Sequence, residues 1–140
     1  MGVSVVVITW LTALSVYDIR QRRLPNALTL PGAVVVVVAA VAAGRGMPAV
    51  AGAAALAGTY LVVRAVAPAA MGAGDVKLAL GLGGLTGCFG IDVWTLAALA
   101  APLLTGLWAV VEVLKRGAST VPHGPSMCAA SATAIALAVW

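Results

Sequence analysis

The sequence predicts an all-α integral membrane protein, a polytopic bundle of about six transmembrane helices with both termini outside. Composition is the first observation: 63% of the residues are hydrophobic and 9% are charged, whereas soluble domains have about 45–50% apolar and about 25% charged residues. A soluble chain of this composition would have too few polar groups for its surface. The second observation is the placement of the basic residues, described below. Residues 1–140 are expected to form a single membrane-embedded domain.

Six apolar runs define the predicted spans, at about 2–17, 27–43, 49–67, 76–91, 93–114 and 122–140. Because a straight span needs about 20 residues, we expect the helices to continue into the polar segments beside them. Glycine, proline and polar residues interrupt the runs at residues 24–26, 44–48, 68–74 and 117–122. Residues 2–17 contain no Lys or Arg, so the first run is expected to be a retained helix and not a cleaved signal peptide.

The basic residues predict the orientation of the bundle. The first, third and fifth loops, with the helix ends beside them, hold seven of the eight: Arg20, Arg22, Arg23, Arg64, Lys77, Lys115 and Arg116. Only Arg45 falls on the opposite side. Since short loops rich in Lys and Arg stay in the cytoplasm, Asp18 and Asp75 are predicted at the cytoplasmic face of the cell membrane. Anionic lipid headgroups account for the net charge of +4, and no nucleic-acid partner is expected.

Small residues dominate the runs and predict close packing between helices. Gly83 and Gly87 form a G-x-x-x-G pair in the fourth run, although this pattern does not indicate which helix they contact. Cys88 and Cys128 lie far apart inside apolar runs. They form no C-x-x-C pair, so neither a metal site nor a disulfide is predicted, and no cofactor is expected.

Two of the four acidic residues have structural explanations. Asp92 precedes the fifth run, where a helix N-cap is expected. Glu112 precedes Lys115 and Arg116 by one helical turn, a spacing that favours ion pairs within a helix.

Asp18 and Asp75 are harder to explain. Asp75 is placed to cap the fourth run, but capping does not require Gly72 and Gly74 before it. Two glycines indicate a chain that bends or lets another segment approach closely. Asp18 lies near the C-terminal end of the first helix, where the helix dipole disfavours a negative charge. An ion cluster with the arginines after it is one explanation, and a functional role at the edge of the bundle is the other.

As a pair, the two aspartates predict a specific chemistry. Two carboxylates that share one site cannot both ionise cheaply, so the pair retains a proton. One carboxylate can then deprotonate a water while the other protonates a peptide carbonyl oxygen. This is aspartic-protease chemistry. His123 offers an alternative base for Ser126, but no acid lies nearby in the sequence to orient it, and a cap or interface role is the preferred interpretation.

Three segments resemble the type IV prepilin peptidases, a family of membrane-embedded aspartic peptidases. The stretch YDIRQRRLPN (17–26) is similar to their first signature, GAGDVKL (72–78) to their G-x-G-D motif, and VPHGPS (121–126) to the Pro-x-Gly-Pro segment that opens their last helix. The resemblance implies that Asp18 and Asp75 are the catalytic pair. It implies supporting roles for the matching residues Pro25, Asn26, Gly72, Gly74 and Lys77.

The resemblance also implies a substrate. Members of the family cut pilin-like precursors at the cytoplasmic face, after a glycine that ends a short basic leader. Larger members carry an N-terminal segment with paired cysteines and methylate the new pilin terminus. This chain resembles the short forms found with Flp/Tad-type pili, so methylation is not expected. His123 stands where many members have an aromatic residue.

Two functions of other classes remain open from the residues alone. A small proton- or cation-coupled transporter would use Asp18 and Asp75 for ion passage, although acids at the membrane edge, with none at the midplane, argue against it. An inactive scaffold subunit of a pilus or secretion machine would use neither carboxylate chemically.

Overall fold

The computed structural model describes residues 2–117 and 120–139, and within these ranges it contains six α-helices and no strand. The helices are α1 (Gly2–Gln21), α2 (Asn26–Ala42), α3 (Gly46–Val66), α4 (Ala73–Gly87), α5 (Ile91–Arg116) and α6 (Gly124–Val139). The all-α prediction is confirmed, and each helix overlaps one predicted span. The two termini, part of the predicted break at 117–122 and the end of the predicted sixth span lie outside the described residues.

Three helices, α1, α3 and α5, are long and apolar enough to cross a membrane. The apolar helices α2 and α6 have 17 and 16 residues, and α4 has 15. Large apolar side chains on the long helices face outward, with Val6 65% exposed and Leu103 73% exposed. So much exposed apolar surface is typical of a protein in contact with lipid. Six complete spans and the side on which the termini lie stay predictions.

Of the two structural roles predicted for acidic residues, that of Glu112 is confirmed and that of Asp92 is wrong. Asp92 is not an N-cap, because Gly90 holds that position and Asp92 lies in the first turn of α5. Gly90 has a φ of 115°, which glycine adopts readily, so the chain enters the helix earlier than the apolar run indicates. The pairing of Glu112 with Arg116 is confirmed, with 3.6 Å between Oε2 and Nε.

Helix α4 lies at the centre of the bundle. It contacts α2, α3, α5 and α6, and every residue from Leu78 to Gly87 except Leu80 is buried. Leu78 and Leu82 are 0% and 1% exposed. This burial on all sides explains why the helix is built from leucine, alanine and glycine with no polar face.

Glycines let the backbones of α3 and α4 touch along the last turns of α4. A Cβ atom added to Gly83 would lie 2.5 Å from the carbonyl oxygen of Gly52, and one added to Gly87 would lie 2.6 Å from that of Pro48. The Trp94 indole of α5 donates a hydrogen bond to the same Gly52 carbonyl, at 3.0 Å. The partner that the G-x-x-x-G pattern left undetermined is therefore α3, and the contact leaves no room for a side chain.

Candidate active site

A cavity of about 570 Å³ opens where the turn between α1 and α2 meets the start of α4. Its lining consists of Asp18, Gln21, Arg22, Arg23, Leu24, Pro25, Asn26, Gly72, Ala73, Gly74, Asp75 and Lys77. Every residue to which the resemblance gave a catalytic or supporting role is in this set. Segments far apart in the sequence thus meet at one place.

Asp18 belongs to the last turn of α1 and is only 7% exposed. Its Oδ2 accepts a hydrogen bond from the backbone amide of Gly124, the first residue of α6, at 2.9 Å. The positive end of the α6 dipole therefore offsets the negative end of the α1 dipole at this carboxylate. The Arg22 charge also acts on Asp18. A second helix explains how a buried aspartate is tolerated at a helix C-terminus.

Asp75 belongs to the first turn of α4, and Gly72 is the N-cap of that helix. The predicted N-cap role for Asp75 is thus wrong by position, but its carboxylate lies at the N3 position, from which an acidic side chain faces the N-cap amide. Asp75 lies just before the predicted span 76–91. Burial and the nearby Asp18 charge raise its pKa to about 6, against a smaller lowering by the Gly72 amide. The two carboxylates are therefore close enough to interact electrostatically.

The glycines around the carboxylates leave little space between themselves and their neighbours. A Cβ atom on Gly72 would lie 3.0 Å from Asp75 Oδ2, and one on Gly74 would lie 3.2 Å from the Leu24 Cβ. One on Gly124 would lie 2.5 Å from Asp18 Oδ2. Gly72 has an ordinary φ of −71°, so it does not serve to bend the chain. The glycines before Asp75 instead let neighbouring groups approach closely.

Two of the supporting residues contact each other. The Lys77 ammonium of α4 donates a hydrogen bond to Asn26 Oδ1 at 2.8 Å. Asn26 opens α2, and the extended Pro25 before it is the N-cap of that helix. The bond ties the helix that carries Asp75 to the turn that follows Asp18.

Arg22 makes an unusual turn at the edge of the cavity. Its φ is 49°, a left-handed conformation that a residue with a side chain rarely adopts. The Arg22 backbone amide bonds the Asp18 carbonyl at 2.9 Å, and the guanidinium donates a hydrogen bond to the Thr120 hydroxyl. The end of α1 is thereby fastened to the segment before α6.

His123 is an interface residue, as preferred from the sequence. Its Nε2 lies 3.0 Å from the Tyr60 hydroxyl of α3, and its Nδ1 lies 2.6 Å from the Thr105 hydroxyl of α5. The Tyr60 and His123 rings also pack edge to face, with 5.6 Å between centroids. Both ring nitrogens are engaged by these partners, which leaves Ser126 without the base that the alternative required.

Sequence reasoning missed the Gly124 amide and the Tyr60 hydroxyl. The signal for Gly124 was present, because the Pro-x-Gly-Pro segment opens a helix on the same predicted face as Asp18. A helix N-terminus beside a buried carboxylate is a natural donor. Nothing in the sequence around Tyr60 distinguishes it from any other aromatic residue of an apolar helix.

Comparison with family models matches residues 5–110 to the type IV leader peptidase family. No curated protein and no solved structure matches the chain. The matched segment contains both aspartates and the whole lining of the cavity, and it ends before α6. Since it covers most of the sequence, the predicted resemblance is confirmed, and the chain belongs to the type IV leader peptidase family.

Proposed function

We propose that this protein is a membrane aspartic endopeptidase that removes the leader peptides of type IV or Flp-like prepilins. One observation carries the proposal: Asp18 and Asp75, from α1 and α4, line one cavity together with every residue to which the resemblance gave a supporting role. Membership of a peptidase family supports the reaction class. The partners of the protein would be a pilin-like precursor in the membrane and the lipid bilayer itself.

The surroundings of the two carboxylates favour different roles for them. Burial raises the pKa of Asp18, but the hydrogen bond from the Gly124 amide and the nearby Arg22 charge both oppose that rise by stabilising the carboxylate. Asp75 has a pKa raised to about 6 by burial and by Asp18. We assign the shared proton to Asp75 and the negative charge to Asp18. Asp18 is then the general base and Asp75 the general acid.

The reaction proceeds through a tetrahedral intermediate. Asp18 removes a proton from a water, whose oxygen attacks the scissile carbonyl carbon, while Asp75 protonates the carbonyl oxygen. Asp18 then gives its proton to the amide nitrogen as the carbon–nitrogen bond breaks. Asp75 recovers a proton from the intermediate as the new carboxyl group forms. The pair is returned to its starting state, so no covalent intermediate is needed.

The direct test replaces each carboxylate by its amide. Asp18→Asn and Asp75→Asn should each reduce cleavage of a prepilin-like precursor in membranes by more than about a thousandfold, because neither amide exchanges the required proton. Asp92→Asn and Glu112→Gln are matched controls, since neither residue lines the cavity. Both controls should cleave at the wild-type rate, and activity should survive a metal chelator.

Full cleavage by both cavity variants would overturn the proposal. If wild type and the cavity variants are all inactive but deletion of the protein impairs pilus assembly, the scaffold function replaces it. Ion uptake into proteoliposomes that depends on Asp18 and Asp75, without cleavage, would favour the transporter.

We also propose that the cavity faces the cytoplasm in a multi-pass arrangement. Support comes from the basic residues around it, since Arg22, Arg23 and Lys77 all line the cavity. Met47, two residues after Arg45, is 81% exposed, and Lys115 is exposed at the end of α5. In a background without native cysteines, Met47→Cys should react with a membrane-impermeant thiol reagent on intact cells, and Lys115→Cys only after the cells are opened. The reverse pattern would contradict the orientation.

A further inference from the structure

His123 joins three helices, α3, α5 and α6. It is the only histidine of the chain, and it lies in the segment before α6. Its two ring nitrogens contact Tyr60 of α3 and Thr105 of α5, at 3.0 and 2.6 Å. The next residue is Gly124, whose amide bonds Asp18. A single peptide unit therefore connects the anchored ring to the donor of one carboxylate.

One assignment of protons satisfies every hydrogen bond of this cluster. The Thr105 hydroxyl has one proton and lies 3.1 Å from the carbonyl of Ala101, one turn earlier in α5, a common partner for a helical threonine. When the Thr105 hydroxyl donates its hydrogen bond to the Ala101 carbonyl, its oxygen accepts a hydrogen bond from a protonated Nδ1 of His123. Nε2 is then an acceptor for the Tyr60 hydroxyl. A neutral ring satisfies all three groups at once.

The same cluster reaches toward the second carboxylate. Tyr60 is only 7% exposed, and the Asp75 charge acts on its phenol. Because the Tyr60 proton is directed at His123, it is not available to Asp75, which keeps the phenol out of the proton exchange. The ring of His123 thus contacts the Tyr60 phenol and directly precedes the Gly124 donor of Asp18 in the chain.

We propose that His123 is a positioning residue for the carboxylate pair: anchored by Tyr60 and Thr105, it holds the Gly124 amide against Asp18. This inference rests on the proposed peptidase function for its kinetic consequence. The structural claim, that His123 places the Gly124 amide, is independent of the proposed function. It can be tested in a protein that cleaves no substrate. Ser126 takes no part in it.

A matched pair of substitutions at Thr105 tests the anchor. Thr105→Val removes the hydroxyl with little change of shape, and Thr105→Ser restores it. Thr95→Val is the control on the same helix, because the Thr95 hydroxyl also bonds the carbonyl one turn earlier, that of Ile91, at 2.9 Å. We expect Thr105→Val to lower kcat for precursor cleavage about tenfold with an unchanged KM, since a misplaced catalytic group slows chemistry more than it weakens binding. Thr105→Ser and Thr95→Val should match wild type.

Nuclear magnetic resonance of the protein in detergent, carrying a tag without histidine, supplies a readout independent of cleavage. The single histidine gives one assignable pair of ring nitrogens, with Nδ1 expected to be protonated and Nε2 not. Thr105→Val and Asp18→Asn should both shift the Gly124 amide signal, and Thr95→Val should leave it unchanged.

The outcomes separate the two proposals. Wild-type cleavage by Thr105→Val, with Asp18→Asn and Asp75→Asn inactive, would overturn the positioning role and leave the peptidase intact. A Gly124 signal that responds to Asp18→Asn but not to Thr105→Val would also overturn it. A shifted Gly124 signal in Thr105→Val, in a protein that cleaves no precursor, would support the anchor and count against the peptidase.

Discussion

Helix α4 is held in opposite ways at its two ends. Along its last turns, Gly83 and Gly87 bring the backbone against Gly52 and Pro48 of α3, with no space for a methyl group. At its first turn, Asp75 lines an open cavity of about 570 Å³. The close contact fixes the helix, and the open end presents a carboxylate. We infer that rigidity at one end is what allows a half-buried acid to be placed accurately at the other.

The largest effect is expected from filling the close contact. Gly83→Ala places a Cβ atom 2.5 Å from the Gly52 carbonyl oxygen, so the two helices must separate. Overpacking of this kind costs about 1–3 kcal/mol or more. Thermal unfolding in detergent, followed by circular dichroism, should show a clearly lower midpoint.

Gly58→Ala is the matched control for that experiment. Gly58 lies in α3, and an added Cβ atom there would meet nothing within 4 Å. Because alanine favours a helix over glycine by up to about 1 kcal/mol, this variant should be neutral or slightly stabilised. Equal midpoints for the two variants would mean that the contact between α3 and α4 does not limit stability.

At the open end of α4, stability should depend on pH, through the protonation of Asp75. The raised pKa of Asp75 means that the folded state binds a proton that the unfolded state releases near its ordinary value of 3.8. Stability is therefore lost as the pH rises through about 6. Asp75→Asn removes this cost and should stabilise the protein by about 2–3 kcal/mol at pH 8, with the gain vanishing near pH 4.

The control for the pH experiment is Asp92→Asn, at an exposed position in the first turn of α5. It removes a carboxylate that favours the helix dipole, so it should destabilise slightly at pH 8 and not stabilise. A gain of similar size in both variants would point to net charge instead of burial as the cause.

A smaller effect is expected where α6 touches the site. Gly124→Ala puts a Cβ atom 2.5 Å from Asp18 Oδ2, so the carboxylate must turn or α6 must retreat. Initial cleavage rates should fall about tenfold with the fold retained. Gly106→Ala in α5, where an added Cβ atom meets nothing within 4 Å, should leave the rate unchanged. Equal rates for the two would show that Asp18 tolerates the displacement.

The smallest effect is expected from the polar link between α4 and α2. Lys77→Met removes one hydrogen bond, to Asn26, and should cost about 1 kcal/mol of unfolding free energy. In a double-mutant cycle with Asn26→Ala, the two costs should be less than additive, because both variants break the same bond. Strict additivity would mean that Lys77 acts through another partner.

The sequence was sufficient to predict features that depend on local pattern. Apolar runs predicted six helices, and the placement of arginines and lysines grouped Asp18 with Asp75. The motif residues were found because their types and spacing repeat a known signature. These inferences require no knowledge of which helix packs on which.

Features that depend on tertiary packing were not predictable in the same way. Gly83 and Gly87 predicted a close contact between helices, but only the packed structure identifies α3 as the partner. The donor to Asp18 comes from α6, far along the chain. Asp92 was misplaced because Gly90, with its positive φ, lets α5 begin before the apolar run does. In each case the feature depends on where a backbone atom lies in the folded bundle. The pattern of side chains along the sequence does not give that position.

Arg22 has a consequence for anyone who engineers this protein. A left-handed residue with a side chain costs about 1–2 kcal/mol relative to glycine, so a screen for thermal tolerance has a reason to prefer glycine at position 22. The guanidinium that would be lost borders the cavity and fastens the end of α1 to Thr120. Selection for robustness would then remove a group that shapes the surroundings of Asp18. At this position, durability and activity are expected to be competing design goals.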